Sequence, residues 1–167
     1  MADTIVLLLE EILGTSLISR YIITLLIAMI PVIELRGAIP IGVGVLGLPL
    51  IPVTIVSFVG NMLPVPFIVL FIRKIFGWMR KKSKRLGSLV DRFERRAKSK
   101  GSKFYRGKLI GLLLFVAIPL PGTGAWTGAL IAAMLNIRLR NALLVIAGGV
   151  AIAGIIIAGI TYGFSSL

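Results

Sequence analysis

Histidine and cysteine are both absent from the 167 residues, and acids are scarce, six against nineteen lysines and arginines. Without cysteine there is no disulfide and no thiolate metal site. Without histidine the usual general base, proton shuttle and metal ligand is missing. These gaps argue against an enzyme, and no metal or other cofactor is implied. A Walker-type phosphate loop is lacking too, which argues against an ATP-driven pump. The start, Met1-Ala2-Asp3, has no basic n-region, so no cleavable signal peptide is expected. Charged residues make up only 15% of the chain, against about a quarter in soluble domains, and 57% is hydrophobic. With a mean hydropathy of +1.03, the composition is that of an all-α polytopic membrane protein, a single membrane domain over 1–167. So few spans rarely enclose a path alone, so a homo-oligomer is expected, a dimer first.

The net charge of +13 is concentrated in one place. Between Arg73 and Lys108 lie fifteen of the nineteen basic residues, opposed only by Asp91 and Glu94. The remaining four basic residues balance four acids. A basic run can bind nucleic acid, but between two apolar blocks the positive-inside rule accounts for it better, and no nucleic-acid partner is expected. Residues 73–108 then read as a cytoplasmic linker. Within it Leu86, Leu89, Val90, Phe93 and Ala97 share one helical face opposite lysines and arginines. That pattern suits an amphipathic helix on anionic lipid headgroups, although a solvated tether would also be basic. Trp78, Phe104 and Tyr105 stand where interfacial anchors belong.

Residues 4–19 are apolar apart from Glu10 and Glu11 and are short for a span; an interfacial or partly inserted helix ending near Arg20 is expected. Residues 21–47 and 109–135 are apolar but broken in the middle. Residues 47–52 and 136–141 read as turns. Residues 53–72, with a kink at Pro64 and Pro66, and 142–164 read as spans, the latter with small faces at Gly148, Gly149, Gly154, Gly159 and Gly163 for close packing.

The two breaks are the centre of the pattern. The first is Ile30-Pro31-Val32-Ile33-Glu34-Leu35-Arg36-Gly37-Ala38-Ile39-Pro40; the second is Ile118-Pro119-Leu120-Pro121-Gly122-Thr123-Gly124-Ala125-Trp126. Proline removes a backbone donor and bends or ends a helix. At membrane depth the freed groups must be satisfied by protein or a wet cavity, and broken helices often mark binding sites. Glu34 and Arg36 form the one ionisable pair inside an apolar segment, and charge there costs from about 2.5 kcal/mol upward.

A shift of 88 residues places Pro31 on Pro119, Gly60 on Gly148, Phe76 on Phe164 and the first turn on the second, without a gap. The expected units are repeat 1 (20–76), the basic linker (73–108) and repeat 2 (108–164). If span 53–72 ends at the cytoplasmic linker, turn 47–52 lies outside. Arg138 and Arg140 stay inside only if 109–135 dips in and returns. Both broken segments are then re-entrant helical hairpins entered from opposite faces, each followed by a transmembrane helix, which makes an inverted repeat. Two kinked ordinary spans are the alternative.

At these two motifs the chain resembles the small multidrug export protein family of bacteria and archaea. The residues that carry the resemblance are Pro31 to Pro40 and Pro119-Leu120-Pro121-Gly122-Thr123-Gly124-Ala125-Trp126-Thr127-Gly128. More distantly the plan is similar to the DedA and VTT superfamily, whose paired re-entrant hairpins are associated with proton-coupled movement of polyprenyl-phosphate carriers or with lipid scrambling. Unlike the usual DedA pattern, the second hairpin here has no arginine. The resemblance implies export of a lipophilic ionic substrate, drug-like or lipid-phosphate, with protons as the coupling ion.

For the chemistry, burial and a nearby Arg36 act on the Glu34 proton in opposite senses, so the carboxyl could load and release a proton. Arg36 could grip a phosphate or carboxylate bidentately. A helix starting after Gly124 would add amide donors for an anion. The binding candidates are therefore Glu34, Arg36, Pro31, Gly37, Pro40, Pro119, Pro121, Gly122, Thr123, Gly124 and Trp126. The competing structural reading makes Glu34 and Arg36 staples for exposed backbone. Function divides the same way, among a proton-coupled secondary transporter, a lipid scramblase or flippase, and a non-transporting scaffold.

Overall fold

The computed structural model describes residues 2–82, 102–120 and 122–165; the apolar face expected at Leu86 to Ala97, and Pro121, lie outside them. Regular structure among the described residues is all helical: α1 (Ala2–Leu13), α2 (Leu17–Met29), α3 (Glu34–Gly44), α4 (Leu50–Met62), α5 (Pro64–Lys82), α6 (Ser102–Ala117), α7 (Ala125–Met134) and α8 (Leu139–Ser165).

The expected helix over 4–19 is two helices with a break between them. Gly14 takes φ +80° and ends α1. Ser16 then caps α2, its Oγ accepting from the Ser19 amide at 3.2 Å. Ser19 Oγ returns to the Leu13 carbonyl at 2.6 Å. Arg20 therefore lies in the first turns of α2 rather than at the end of a preceding helix. The turn expected at 47–52 also ends earlier, because Pro49 caps α4 and Pro52 falls in its first turn, where a missing amide proton costs nothing. The helix assignment is interrupted at Leu63, immediately before Pro64 and Pro66, where the kink was expected.

α2 and α3 fold back on each other as a hairpin. Arg20, near the start of α2, donates through Nη1 to the Leu46 carbonyl past the end of α3 at 3.2 Å. α2 has 13 residues and α3 has 11, so each is only about 16–20 Å long, against roughly 30 Å of bilayer hydrocarbon. α6 and α7 form the second hairpin; a methyl on Gly128 would lie 2.6 Å from Val116. At its base Arg73 Nη2 donates to the Ile137 carbonyl. Arg73, the first residue of the expected linker, thus turns into the packed fold.

Long apolar helices back each hairpin. Leu50–Ile75 and Leu139–Phe164 each offer 26 residues, long and apolar enough to cross a membrane, with only 28% of each most apolar window buried. Close packing rests on absent side chains: a methyl on Gly60 would lie 3.0 Å from Ala28, and one on Gly149 would lie 2.7 Å from Val116 and 3.0 Å from the Leu113 carbonyl. A methyl on Gly159 or Gly163 would meet nothing within 4 Å, so the expected small face ends at Gly154. Asn141 pairs with Tyr105 and Gly149 with Val116, which makes α6 and α8 parallel. Gly154 packs on Leu35, and Pro40 and Val43 stand beside Ile157 and Ile160, so α3 runs with the end of α8. Because α2 opposes α3, α2 and α6 point in opposite directions.

Burial recurs between the halves, but not at one constant offset. Residues 32–40 and 122–130 have the same sequence of exposed, intermediate and buried positions, at an offset of 90. Val53, Ser57, Gly60, Asn61 and Val65 match buried Ala142, Ile146, Gly149, Val150 and Gly154 at 89. The gap-free register of 88 therefore fails beyond the breaks, because the second break has two more residues between its proline and its first left-handed position, and the loop from α7 to α8 is one residue shorter than that from α3 to α4. Left-handed backbone follows the same offset: Val32 at φ +78° matches Gly122 at +82°, and Glu34 at +51° matches Gly124 at +147°.

Candidate functional site

The two broken motifs meet at their tips. Pro31 lacks an amide proton, so α2 cannot continue through it; the chain turns over 30–33, and α3 restarts with Glu34 in its first turn. Both Val32 and Glu34 hold left-handed conformations that side-chain-bearing residues seldom adopt. This backbone directs the Glu34 carboxylate into the protein, where only 4% of the residue is exposed. Its Oε1 accepts from the Trp126 amide at 3.1 Å, in the first turn of α7, where free amides and the helix dipole favour an anion.

Gly124 makes that approach possible. A Cβ there would fall on the Glu34 carboxylate, and its φ of 147° with ψ of −166° belongs to a region only glycine occupies readily. The Trp126 indole Nε1 in turn donates to the Met29 carbonyl at 3.1 Å, one of the carbonyls left open at the end of α2.

Arg36 reaches the other side of the second tip. Its Nη1 donates to the Leu120 carbonyl and its Nη2 to Thr123 Oγ1 at 3.0 Å. Thr123 Oγ1 also lies 2.8 Å from the Ile118 and Leu120 carbonyls and accepts from the Leu120 amide at 3.2 Å, which ties the loop together. Glu34 and Arg36 thus take separate partners on the second motif. Each keeps one buried polar atom without a partner, Glu34 Oε2 and Arg36 Nε.

Arg36 also lines a groove of about 450 Å³ between α3 and the end of α8, with Pro40, Val43, Gly44, Ile157, Ile160, Thr161 and Phe164. The groove is apolar except at the guanidinium and Thr161. The expected site residues therefore divide. Glu34, Arg36, Thr123, Gly124 and Trp126 form the tip-to-tip contact. Pro40 lines the groove. Pro31 and Gly122 are exposed on the turns, Pro119 is half-buried, and Gly37 faces the Ile33 side chain. The amide expected to await an external anion is occupied by Glu34.

Sequence reasoning passed over two buried polar residues. Ser57 and Asn61 in α4 are fully buried, and Ser57 Oγ and both Asn61 amide atoms have no partner. The signal was there: Thr54, Ser57 and Asn61 share one face of an otherwise apolar span, but only ionisable groups were weighed. It also passed over Arg20 and Arg73, each of which satisfies the carbonyl at the base of a hairpin.

Residues 34–156 match the family model described as "Putative small multi-drug export protein". No curated protein and no solved structure matches the chain.

Proposed function

The chain belongs to that family of small export proteins, and on this premise we propose that it is a proton-coupled secondary transporter for a lipophilic ionic substrate in the cell membrane. The observation that carries this reading is the position of Arg36, which holds the second tip through Leu120 and Thr123 and also lines an apolar groove. A substrate with an anionic head and an apolar body fits such a groove, the head competing with Leu120 and Thr123 for the guanidinium. Protonation of Glu34 weakens its bond to the Trp126 amide, because a charged acceptor binds about twice as strongly as a neutral one. Proton and substrate then act on the same contact and release one hairpin tip from the other.

In this reading both hairpins are re-entrant and the two halves form an inverted repeat. The shortness of α2 and α3, the opposed directions of α2 and α6, and the recurrence of left-handed positions 90 residues apart support it. Residues 73–108 and the Arg138–Arg140 turn then face the cytoplasm. Single cysteines at 138 and 49 should react from opposite sides of the membrane; reaction from the same side would remove the re-entrant arrangement.

Flux by purified protein in liposomes, with and without a pH gradient, tests the function. Glu34→Gln keeps an acceptor for Trp126 but cannot titrate. It should insert and stay monodisperse while losing gradient-dependent flux. Full gradient-coupled flux in that variant takes Glu34 out of the mechanism. A second reading, passive lipid scrambling, draws on the exposure of Ile160 and Phe164 at the groove; gradient-independent lipid mixing would favour it. No flux of either kind would leave a scaffold.

A further inference from the structure

A second cavity lies far from the tips, at the opposite end of α8 from the groove. It measures about 360 Å³ and is lined by Tyr105, Arg106, Arg138 and Asn141. α6 and α8 run parallel here, and Asn141 Nδ2 donates to Tyr105 Oη at 3.0 Å. That bond fixes both side chains and leaves the phenol proton free to donate. Arg106 and Arg138 are exposed, and neither guanidinium has a hydrogen-bonding or ionic partner among the described residues. Two guanidinium forks and a phenol therefore face one cavity, whose described lining contains no acid.

What lies beside the cavity narrows the ligand. Arg138 immediately precedes the 26-residue apolar run Leu139–Phe164. One turn along α6 from Arg106 is Ile110, 61% exposed, and one turn along α8 from Asn141 is Leu144, 65% exposed. Leu114 continues the α6 stripe. A basic, hydrogen-bonding pocket thus sits at the end of an apolar face that leads away from it along two parallel helices.

We infer that this cavity binds the phosphodiester headgroup of an anionic phospholipid, with the acyl chains lying along Ile110, Leu114 and Leu144. Arginine forks match phosphate oxygens, and basic pockets between membrane helices take such headgroups. The site takes Arg106 from the end of the basic run and Arg138 from outside it, and it does not depend on the transport reading.

Native mass spectrometry of the full-length protein, with phosphatidylglycerol against phosphatidylcholine, tests the assignment. The wild type should retain phosphatidylglycerol selectively. Arg106→Gln with Arg138→Gln should weaken retention by about 25-fold, at about fivefold for each basic residue near an anionic surface. Lys98→Gln with Lys100→Gln removes the same charge from the linker and should leave selective retention in place. Equal loss in the two double variants would overturn the site in favour of diffuse charge. If the arginine pair fails to fold, Tyr105→Phe should lower retention about threefold by removing one donor, and unchanged retention counts against the site. Inorganic phosphate at 10-fold excess should not displace the lipid; displacement would show a free-anion site and overturn the lipid assignment.

Discussion

The two hairpin tips share a backbone plan but not a chemistry. Residues 32 and 34 of one and 122 and 124 of the other are left-handed, at the same spacing and with the same burial. In the second tip both positions are glycine, which takes such angles at little cost. In the first they are valine and glutamate, which do not. The first tip therefore carries both the charge and the backbone strain, whereas the second carries glycines, a threonine and the Trp126 amide that Glu34 accepts from. Because Glu34 meets Gly124, its own counterpart, the two tips complete one site between them. The second hairpin needs no arginine of its own, since Arg36 reaches across to it.

The most damaging way to break this asymmetry is Gly124→Ala. The added methyl would overlap the Glu34 carboxylate, and the backbone there disfavours any side chain. A loss of at least about 3 kcal/mol is expected from strain and a displaced charge-assisted hydrogen bond. Thermal unfolding in detergent measures it. Combined with Glu34→Ala, the cost should be clearly less than additive; strict additivity would mean that the two residues do not oppose each other.

Arg36→Lys keeps the charge but cannot reach the Leu120 carbonyl and Thr123 hydroxyl together. A cost of about 1–2 kcal/mol is expected, together with weaker binding of an anionic amphiphile. If stability and binding are both unchanged, the guanidinium geometry has no role.

Asn61→Val gives the first half the residue found at the matching position of the second, Val150. A fully buried amide without partners is replaced by a core side chain, so stability should rise by about 1 kcal/mol. A fall in stability would show that Asn61 has a polar ligand. A rise accompanied by lost flux would place Asn61 on the transport path.

Val32→Gly gives the first tip the glycine of the second. Val32 is 94% exposed, so no packing is lost. Relief of a left-handed valine, about 1 kcal/mol, is partly offset by the greater freedom of glycine in the unfolded chain. A gain of less than 1 kcal/mol is expected, roughly, on the same terms, and a Tm that falls would mean that the strain is not stored there.

Much of this arrangement was legible before any coordinates. Prolines 31 and 119 located both breaks, and the one ionisable pair inside an apolar segment pointed to the side chains that join the two tips, because proline and charge are costly in an apolar segment whatever the context. Three features were hidden for physical reasons. The break at Gly14 to Ser16 rests on capping geometry, which apolar periodicity does not register. Arg73 looked like one of fifteen equivalent basic residues, and only tertiary packing singles it out as the partner of Ile137. The two extra residues of the second break shift the register at its tip, the shorter loop after α7 takes one of them back, and an identity-based alignment of apolar sequence cannot detect so small a drift.

The distance along the chain between the partners has its own consequence during synthesis. Trp126 follows Glu34 by 92 residues, and Thr123 follows Arg36 by 87. At about 5–20 residues per second, the ribosome needs roughly 5–18 s to supply the amide that receives the carboxylate. For that interval the first hairpin carries an acid and an arginine with no second tip to meet. Either it waits at the bilayer surface, where water can solvate both, or it enters with its charges held by the insertion machinery. Premature arrest between residues 82 and 120 should therefore leave a first half that is poorly retained in the membrane, although most of its apolar residues are already present.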